Sequence, residues 1–198
     1  MGCTLAYGTV PRTRLSKDDW TAMAMTALAE GGVAAVGIEP MAARLGTTKG
    51  SAYWHFPTRE ALLRATLERW EAAHTVAVID LVEAERNPAR RLRRLFASVL
   101  EPSEGHAVEL ALLASADDPL VGEALRRVAE RRIAYLADQF GILGHPPEAA
   151  RRRAVLSYSA YLGHAQLLRT APGALPAARD ERRSYLDESM RMLLGGVA

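Results

Sequence analysis

Residues 46–63 read GTTKGSAYWHFPTREALL, and the fold is best read outward from that run. Thr47 and Thr48 are hydroxyl residues of the kind that cap a helix start. Gly50 and Ser51 keep one face of the helix small, and Tyr53, Trp54 and His55 set three hydrogen-bonding aromatics at its far end. A core helix gains nothing from a Lys, two Thr, a Gly, a Ser and three adjacent rings, whereas a helix lying in a DNA groove can use all of them. The flanks complete a helix-turn-helix. Upstream, Ile38, Met41, Ala42 and Leu45 recur at helical spacing and stop at Gly46, a residue type that accepts a left-handed turn. With Gly37 as cap, Pro40 falls in the first turn, where a missing N–H costs nothing. Downstream, Pro57 stops the helix and Thr58 opens another, with Glu60 at the positive end of its dipole.

Further upstream, Ser16 and Asp19 form a capping-box pattern, and Trp20, Met23, Ala24, Ala27 and Leu28 share one face before Gly31-Gly32 ends the helix. Trp20 is in phase with that stripe and reads as core; the alternative is a DNA contact. Three helices therefore precede the fourth, at about 16–30, 38–44 and 48–54. The fourth starts at Thr58 and carries Leu63, Leu67, Trp70 and His74 on one stripe. It is longer than a three-helix head requires, so it serves as a mechanical link to whatever follows. His74 reads as a satisfied core histidine, with ligand contact as the alternative.

The run from Ser16 to about His74 resembles the DNA-binding head of the TetR family of bacterial transcriptional regulators. The resemblance rests on Gly46, the Tyr53-Trp54-His55-Phe56 run, Thr58-Arg59 and Leu62, behind two helices of the right length. It covers the first third of the chain and implies a helix-turn-helix DNA-binding domain over 15–60 and an effector-binding and dimerisation domain over 61–198. On the resemblance, Lys49 and Ser51 face base edges or nearby phosphates. Tyr53 and His55 bond phosphates, Arg59 anchors the next helix to the backbone, and Gly50 allows close approach. Thr48 caps the helix and touches phosphate. Trp54 is ambiguous, its ring able to pack in the head while its N–H reaches the backbone, and Ala52 and Phe56 read as core.

The rest of the chain carries no motif, but its periodicity is helical. Leu92, Leu95, Phe96 and Val99 mark one helix, ended by Pro102; Val108, Leu110, Leu112 and Leu113 mark another; Val121 to Phe140 form a long third. The segment 149–169 is apolar nearly all round, and the final helix carries Tyr185, Leu186, Met190, Leu193 and Leu194 in a stripe. The expected fold is all-α: a three-helix head plus a C-terminal bundle of about six further helices. A homodimer forms through the last two, the alternative being a monomer with 149–169 at its centre. The resemblance further implies a small apolar or amphipathic effector in the body, for which Trp70, His74, Phe96, Val99, Leu110, Leu113, Tyr135, Tyr158 and Tyr161 are the candidate lining.

Composition sets the boundaries. The chain has 198 residues, 49% hydrophobic and 24% charged, which is enough to bury a core. Its net charge of +2 does not by itself announce DNA binding. One cysteine, Cys3, excludes an internal disulfide and fits a reducing cytoplasm. No stretch reads as a signal peptide or membrane span. No phosphate loop, nucleophile elbow or metal-ligand spacing appears, so no catalytic residue, metal or cofactor is called for. An enzyme would have to use His106 or His164 with Glu109 or Asp187. The expectation is a cytoplasmic, ligand-responsive repressor that binds a palindromic double-stranded operator as a dimer. The alternatives are an activator, or a helical sensor without DNA binding.

Overall fold

The computed structural model describes residues 15–101 and 103–195, the side chains of Val99 and Glu104 excepted. Cys3 lies outside the described residues, as do Pro102 and the Val99 side chain. Helix α1 (Lys17–Gly31) begins at the expected capping box: Ser16 Oγ accepts from the Asp19 N–H at 3.2 Å, and Asp19 accepts from the Ser16 N–H at 2.8 Å. Gly32, at φ +68°, ends it and leads into a 3₁₀ turn over Val33–Ala35. Helix α2 (Ile38–Arg44) carries Pro40 in its first turn, and Gly46 at φ +61° makes the left-handed corner into α3 (Lys49–His55). Thr48 stands at the start of α3 without a side-chain capping bond.

Helix α4 (Arg59–Glu71) is capped by Thr58, whose Oγ1 accepts from the Ala61 N–H at 3.1 Å. It does not end at His74. It widens into one π-helical stretch, Ala72–Val76, and continues as α5 (Ala77–Glu83). Then follow α6 (Pro88–Leu100), α7 (Glu104–Leu113), α8 (Pro119–Ile142), α9 (Pro147–Thr170) and α10 (Arg179–Leu194). Asn87 and Asp118 cap α6 and α8, each directly before a proline whose missing N–H falls in the uncapped first turn. Among the described residues there is no strand, so the all-helical expectation holds.

Two apolar clusters organise these helices. The first gathers Trp20, Leu28, Met41, Ala52, Phe56, Leu62, Leu63 and Trp70 from α1–α4 with Val108 and Leu112 of α7 and Val121, Leu125 and Val128 of α8. The head is thus not packed on itself alone: α1 lies on α7, and α4 on α8. Each fully buried Leu here contributes about 1.5–3 kcal/mol over an exposed one, so the head's orientation is set by the same burial that folds it. The second cluster joins Leu92, Leu136, Phe140, Ala154, Tyr158, Leu186 and Met190 across α6, α8, α9 and α10. No helix among the described residues is long and apolar enough to cross a membrane.

Candidate nucleic-acid interface and effector cleft

Helix α3 is held by its small buried face. Ala52 is fully buried and Phe56, just past the helix end, is 2% exposed, so the opposite face is turned to solvent. Thr48, Lys49, Gly50, Tyr53 and Trp54 are exposed, Tyr53 at 50% and Trp54 at 66%. Ser51 and His55 are half-buried. Lys49 reaches back to Glu39 of α2 at 3.2 Å, an ion pair open to water on both sides. His55 Nε2 lies 2.8 Å from the Leu15 carbonyl, and the Trp54 ring meets the His55 ring edge-on with centroids 4.7 Å apart. The Trp54 side chain thus lies at the surface of the head.

Arg59 takes a different direction from that expected. Its Nε donates to the Val36 carbonyl at 2.8 Å and its Nη2 to the Val33 carbonyl at 2.7 Å, so in this conformation the guanidinium ties α4 to the turn before α2. The Val33 carbonyl also accepts from the Val36 N–H at 3.2 Å, so the guanidinium takes its second lone pair, and it supplies the Val36 carbonyl, four residues before Pro40, with the donor a proline lacks.

In the body, a small cleft of about 70 Å³ is lined by residues of the π-helical stretch, α5, α6, α8 and α9. Its walls are mainly apolar, from Val78, Ile79, Leu95, Phe96 and Leu136, and its polar groups are His74, Thr75, Arg132, Tyr135, Ser157, Tyr158 and Tyr161. Of the expected lining, His74, Phe96, Tyr135, Tyr158 and Tyr161 are on it. Trp70 is not: it is fully buried in the first cluster. Leu113 is 38% exposed, and Leu110 borders a separate hollow with Ala29, His106 and Arg169. Both belong to α7, whose Glu109 instead bonds the cleft-lining Arg132, Tyr158 and Tyr161 from behind.

Beneath the cleft lies a buried charge cluster. Arg132 Nη1 donates to both oxygens of Glu109 at 2.8 Å, and Glu109 is 1% exposed. The same carboxylate accepts from the Tyr161 hydroxyl at 2.7 Å and from Tyr158 at 3.3 Å. The rest of the guanidinium reaches the linking helix: Nε donates to Thr75 Oγ1 at 3.0 Å and Nη2 to the His74 carbonyl at 3.1 Å. Its carbon lies 5.4 to 5.9 Å from the ring centroids of Trp70, Tyr158 and Tyr161. Burial opposes the charge on Arg132, but the Glu109 carboxylate and the neighbouring phenols outweigh it and raise the pKa. Burial, then the negative charge of Glu109, pushes Tyr158 up to about 12 and raises Tyr161 as well. Tyr135 is raised by burial and by donating to Glu83 at 2.8 Å.

The polar residues named above for an acid/base role are spread over separate contacts. Glu109 is held by Arg132, Asp187 pairs with Arg93, and His164 Nε2 faces the Leu100 carbonyl at 3.2 Å. No group of three or more metal-ligating side chains occurs among the described residues. Sequence reasoning passed over Arg132 and Thr75. The available signal was Glu109, one acid inside the apolar run Ala107–Leu113, which demands a buried cation.

Residues 21–66 match the family model of bacterial regulatory proteins, tetR family. A curated relative, the HTH-type transcriptional repressor KstR2 of Mycobacterium tuberculosis, is 26% identical over 117 residues, 59% of this chain and 55% of that protein. The chain thus spans about half the length of the curated relative it matches. Among solved structures, a transcriptional regulator from Rhodococcus sp. Rha1 shares the fold at a TM-score of 0.73 and 22% identity, covering 91% of this chain and 95% of that one. A regulator from Saccharomonospora viridis, solved in complex with choline, does so at 0.71 and 19%, covering 87% and 93%.

Proposed function

From a chain that is a TetR-type transcriptional regulator in head sequence and in fold, we propose a repressor that binds a palindromic operator as a homodimer and is released by a small effector in the cleft. The observation that carries it is α3: a helix positioned by Ala52 and Phe56 that presents Lys49, Gly50, Tyr53 and Trp54 to solvent. Lys49 and Ser51 read bases or adjoining phosphates; Thr48, Tyr53 and His55 bond phosphates, with Trp54 beside them. Arg59 acts by holding α4 in place. The head covers 15–60 and the effector and dimerisation part 61–198, the first apolar cluster joining them. The protein works in the cytoplasm, as a regulator and not an enzyme.

Dimerisation is supported by α9 and α10. Val155, Leu156, Ala160, Gly163 and Leu167 of α9 are exposed, as are Tyr185 and Met192 of α10. Such a patch on two adjacent helices suits a four-helix interface with a second copy, which sets two α3 helices about 34–36 Å apart on successive groove faces. For the effector, the cleft supports a neutral amphipathic molecule. Its walls are mainly apolar, with phenol hydroxyls among them, and the Arg132 charge in the inner wall is balanced by Glu109 behind it.

Fluorescence anisotropy of the purified protein on DNA upstream of its own gene, over a salt series, tests the proposal. Salt-sensitive binding that Lys49→Ala and Tyr53→Phe both weaken upholds it. Binding equal to that of random duplex, after selection from a random library as well, overturns it.

A further inference from the structure

One cleft-lining side chain also braces the helix that leads to the head. The π-helical stretch at 72–76 lies between the part of the linking helix packed on the head and the part that walls the cleft. π-Stretches inside α-helices are rare and collect at functional positions, because the widened turn needs support from outside the helix. Here the support comes from α8. Arg127 and Arg131 hold Glu71 just before the stretch, at 2.8 and 3.6 Å, and Arg132 holds the His74 carbonyl and Thr75 Oγ1 within it. On the head side, Arg69 of α4 donates to Thr21 of α1 at 3.4 Å. On the other side, the His74 ring fills the space beside Gly105 of α7, where a Cβ would come within 2.5 Å of Nδ1.

Arg132 differs from Arg127 and Arg131 in also lining the cleft and in joining the linking helix to the Glu109–Tyr158–Tyr161 set. A guanidinium has five N–H donors in a fixed plane, so it cannot turn toward a ligand oxygen and keep its other bonds unstrained. Resting on the reading of the protein as a ligand-responsive repressor, we infer that Arg132 is the coupling residue. It clasps the π-stretch at His74 and Thr75 when the cleft is empty, and a ligand that draws the guanidinium into the cleft undoes that clasp, releasing α4 and the head from the DNA-binding arrangement. Thr75, 2% exposed and with its hydroxyl in the clasp, is the second member of the device. Arg132 touches no DNA; it acts through the position of α4.

The test needs no ligand. Full-length wild type, Thr75→Val, Thr75→Ser and the double variant Arg132→Met with Glu109→Met are compared by amide hydrogen exchange and by operator anisotropy, with thermal melts alongside. The double variant replaces the buried pair as a unit and so avoids stranding one charge. Expected is faster exchange in Thr75→Val and in the double variant, spreading from 72–76 into 59–71. The operator Kd rises about fivefold or more, the lower end of allosteric couplings, and Thr75→Ser, which keeps the hydroxyl, behaves as wild type. Exchange confined to 72–76 with operator binding within about twofold of wild type overturns the inference and leaves Arg132 a brace. If wild type itself shows no preference for any duplex, the DNA-binding reading fails separately. The exchange pattern then decides alone: spread into 59–71 upholds the coupling, and confinement overturns it.

Discussion

The polar residues of α3 and those beneath the cleft are built on opposite plans. Around α3 the charges and phenols stand in water: Lys49 and Glu39 keep 65% and 72% of their side-chain surface, and Tyr53 is half exposed. Beneath the cleft, Arg132 and Glu109 keep 12% and 1%, and nearly every donor has its acceptor. The first set contributes little to folding and keeps its bonding capacity for a partner. The second has spent its capacity internally, so its energy is tied to the arrangement of α4, α7, α8 and α9. A change in the first alters binding without altering the fold; a change in the second alters both.

The largest effect that difference predicts is Glu109→Ala. Removing the carboxylate strands a buried guanidinium and two phenols, costing about 3–5 kcal/mol, to be read as a drop in the urea midpoint. Replacing both members with Met is expected to recover most of that loss, because the cost comes from the stranded charge. Equal losses in the single and double variants would break the contrast, since burial would then not distinguish the two sets.

Arg59→Met is the intermediate case, an inward arginine at the edge of the exposed set. Its two short bonds to the Val33 and Val36 carbonyls imply a loss of about 1.5–3 kcal/mol, in the range of bonds to charged groups. Operator affinity should fall only as far as the α2–α3 orientation loosens. A variant of unchanged stability that has lost DNA affinity would return Arg59 to the DNA backbone and sharpen the boundary between the sets.

Alkaline pH separates them more gently. The folded protein holds the Tyr158 proton to about pH 12, against an ordinary value of 10, because burial and Glu109 disfavour the phenolate. Above pH 10 the unfolded chain therefore binds fewer protons than the native one, so stability is full below about 10 and declines as pH rises toward 12. Urea midpoints at a series of pH values should show this decline, shallower in Tyr158→Phe. An identical slope in the variant would assign the dependence elsewhere, for instance to Tyr135 and Tyr161, which are raised in the same direction.

The head was legible in the sequence because its signals are local. Ser16 with Asp19, Gly46 before α3 and Thr58 at α4 act within three or four residues, and each does so in the fold except that Thr48 makes no side-chain cap. The cleft was half legible. Helical phase points a residue inward but does not say which helix it will meet. That is why Phe96, Tyr135, Tyr158 and Tyr161 border the cleft while Leu110 and Leu113 of α7 do not. Arg131 and Arg132 are neighbours of one type, yet one faces Glu71 at the surface and the other is buried on Glu109. Bonds spanning 52 and 57 residues, such as Tyr161 to Glu109 and Arg132 to Thr75, leave no periodic trace. The π-stretch has no residue signature at all, since support from α8 makes it.

The smallest stability effect belongs to Lys49→Ala, and it tests the exposed half of the contrast most directly. The Lys49–Glu39 pair is open to water on both sides, so solvent screens it and its loss should change the unfolding free energy by no more than about 0.5 kcal/mol. Alanine is also the better helix former at a first-turn position, offsetting part of even that. Against DNA the same substitution is expected to cost about 1–3 kcal/mol if the lysine reads a base. If it contacts only phosphate, it should instead lower the salt slope by about one unit. Titrating the variant on operator and on random duplex distinguishes these: a loss confined to the operator marks base readout, and an equal loss on both marks phosphate. A destabilised Lys49→Ala with unaltered DNA affinity would show that the α3 surface, too, is committed to holding the fold.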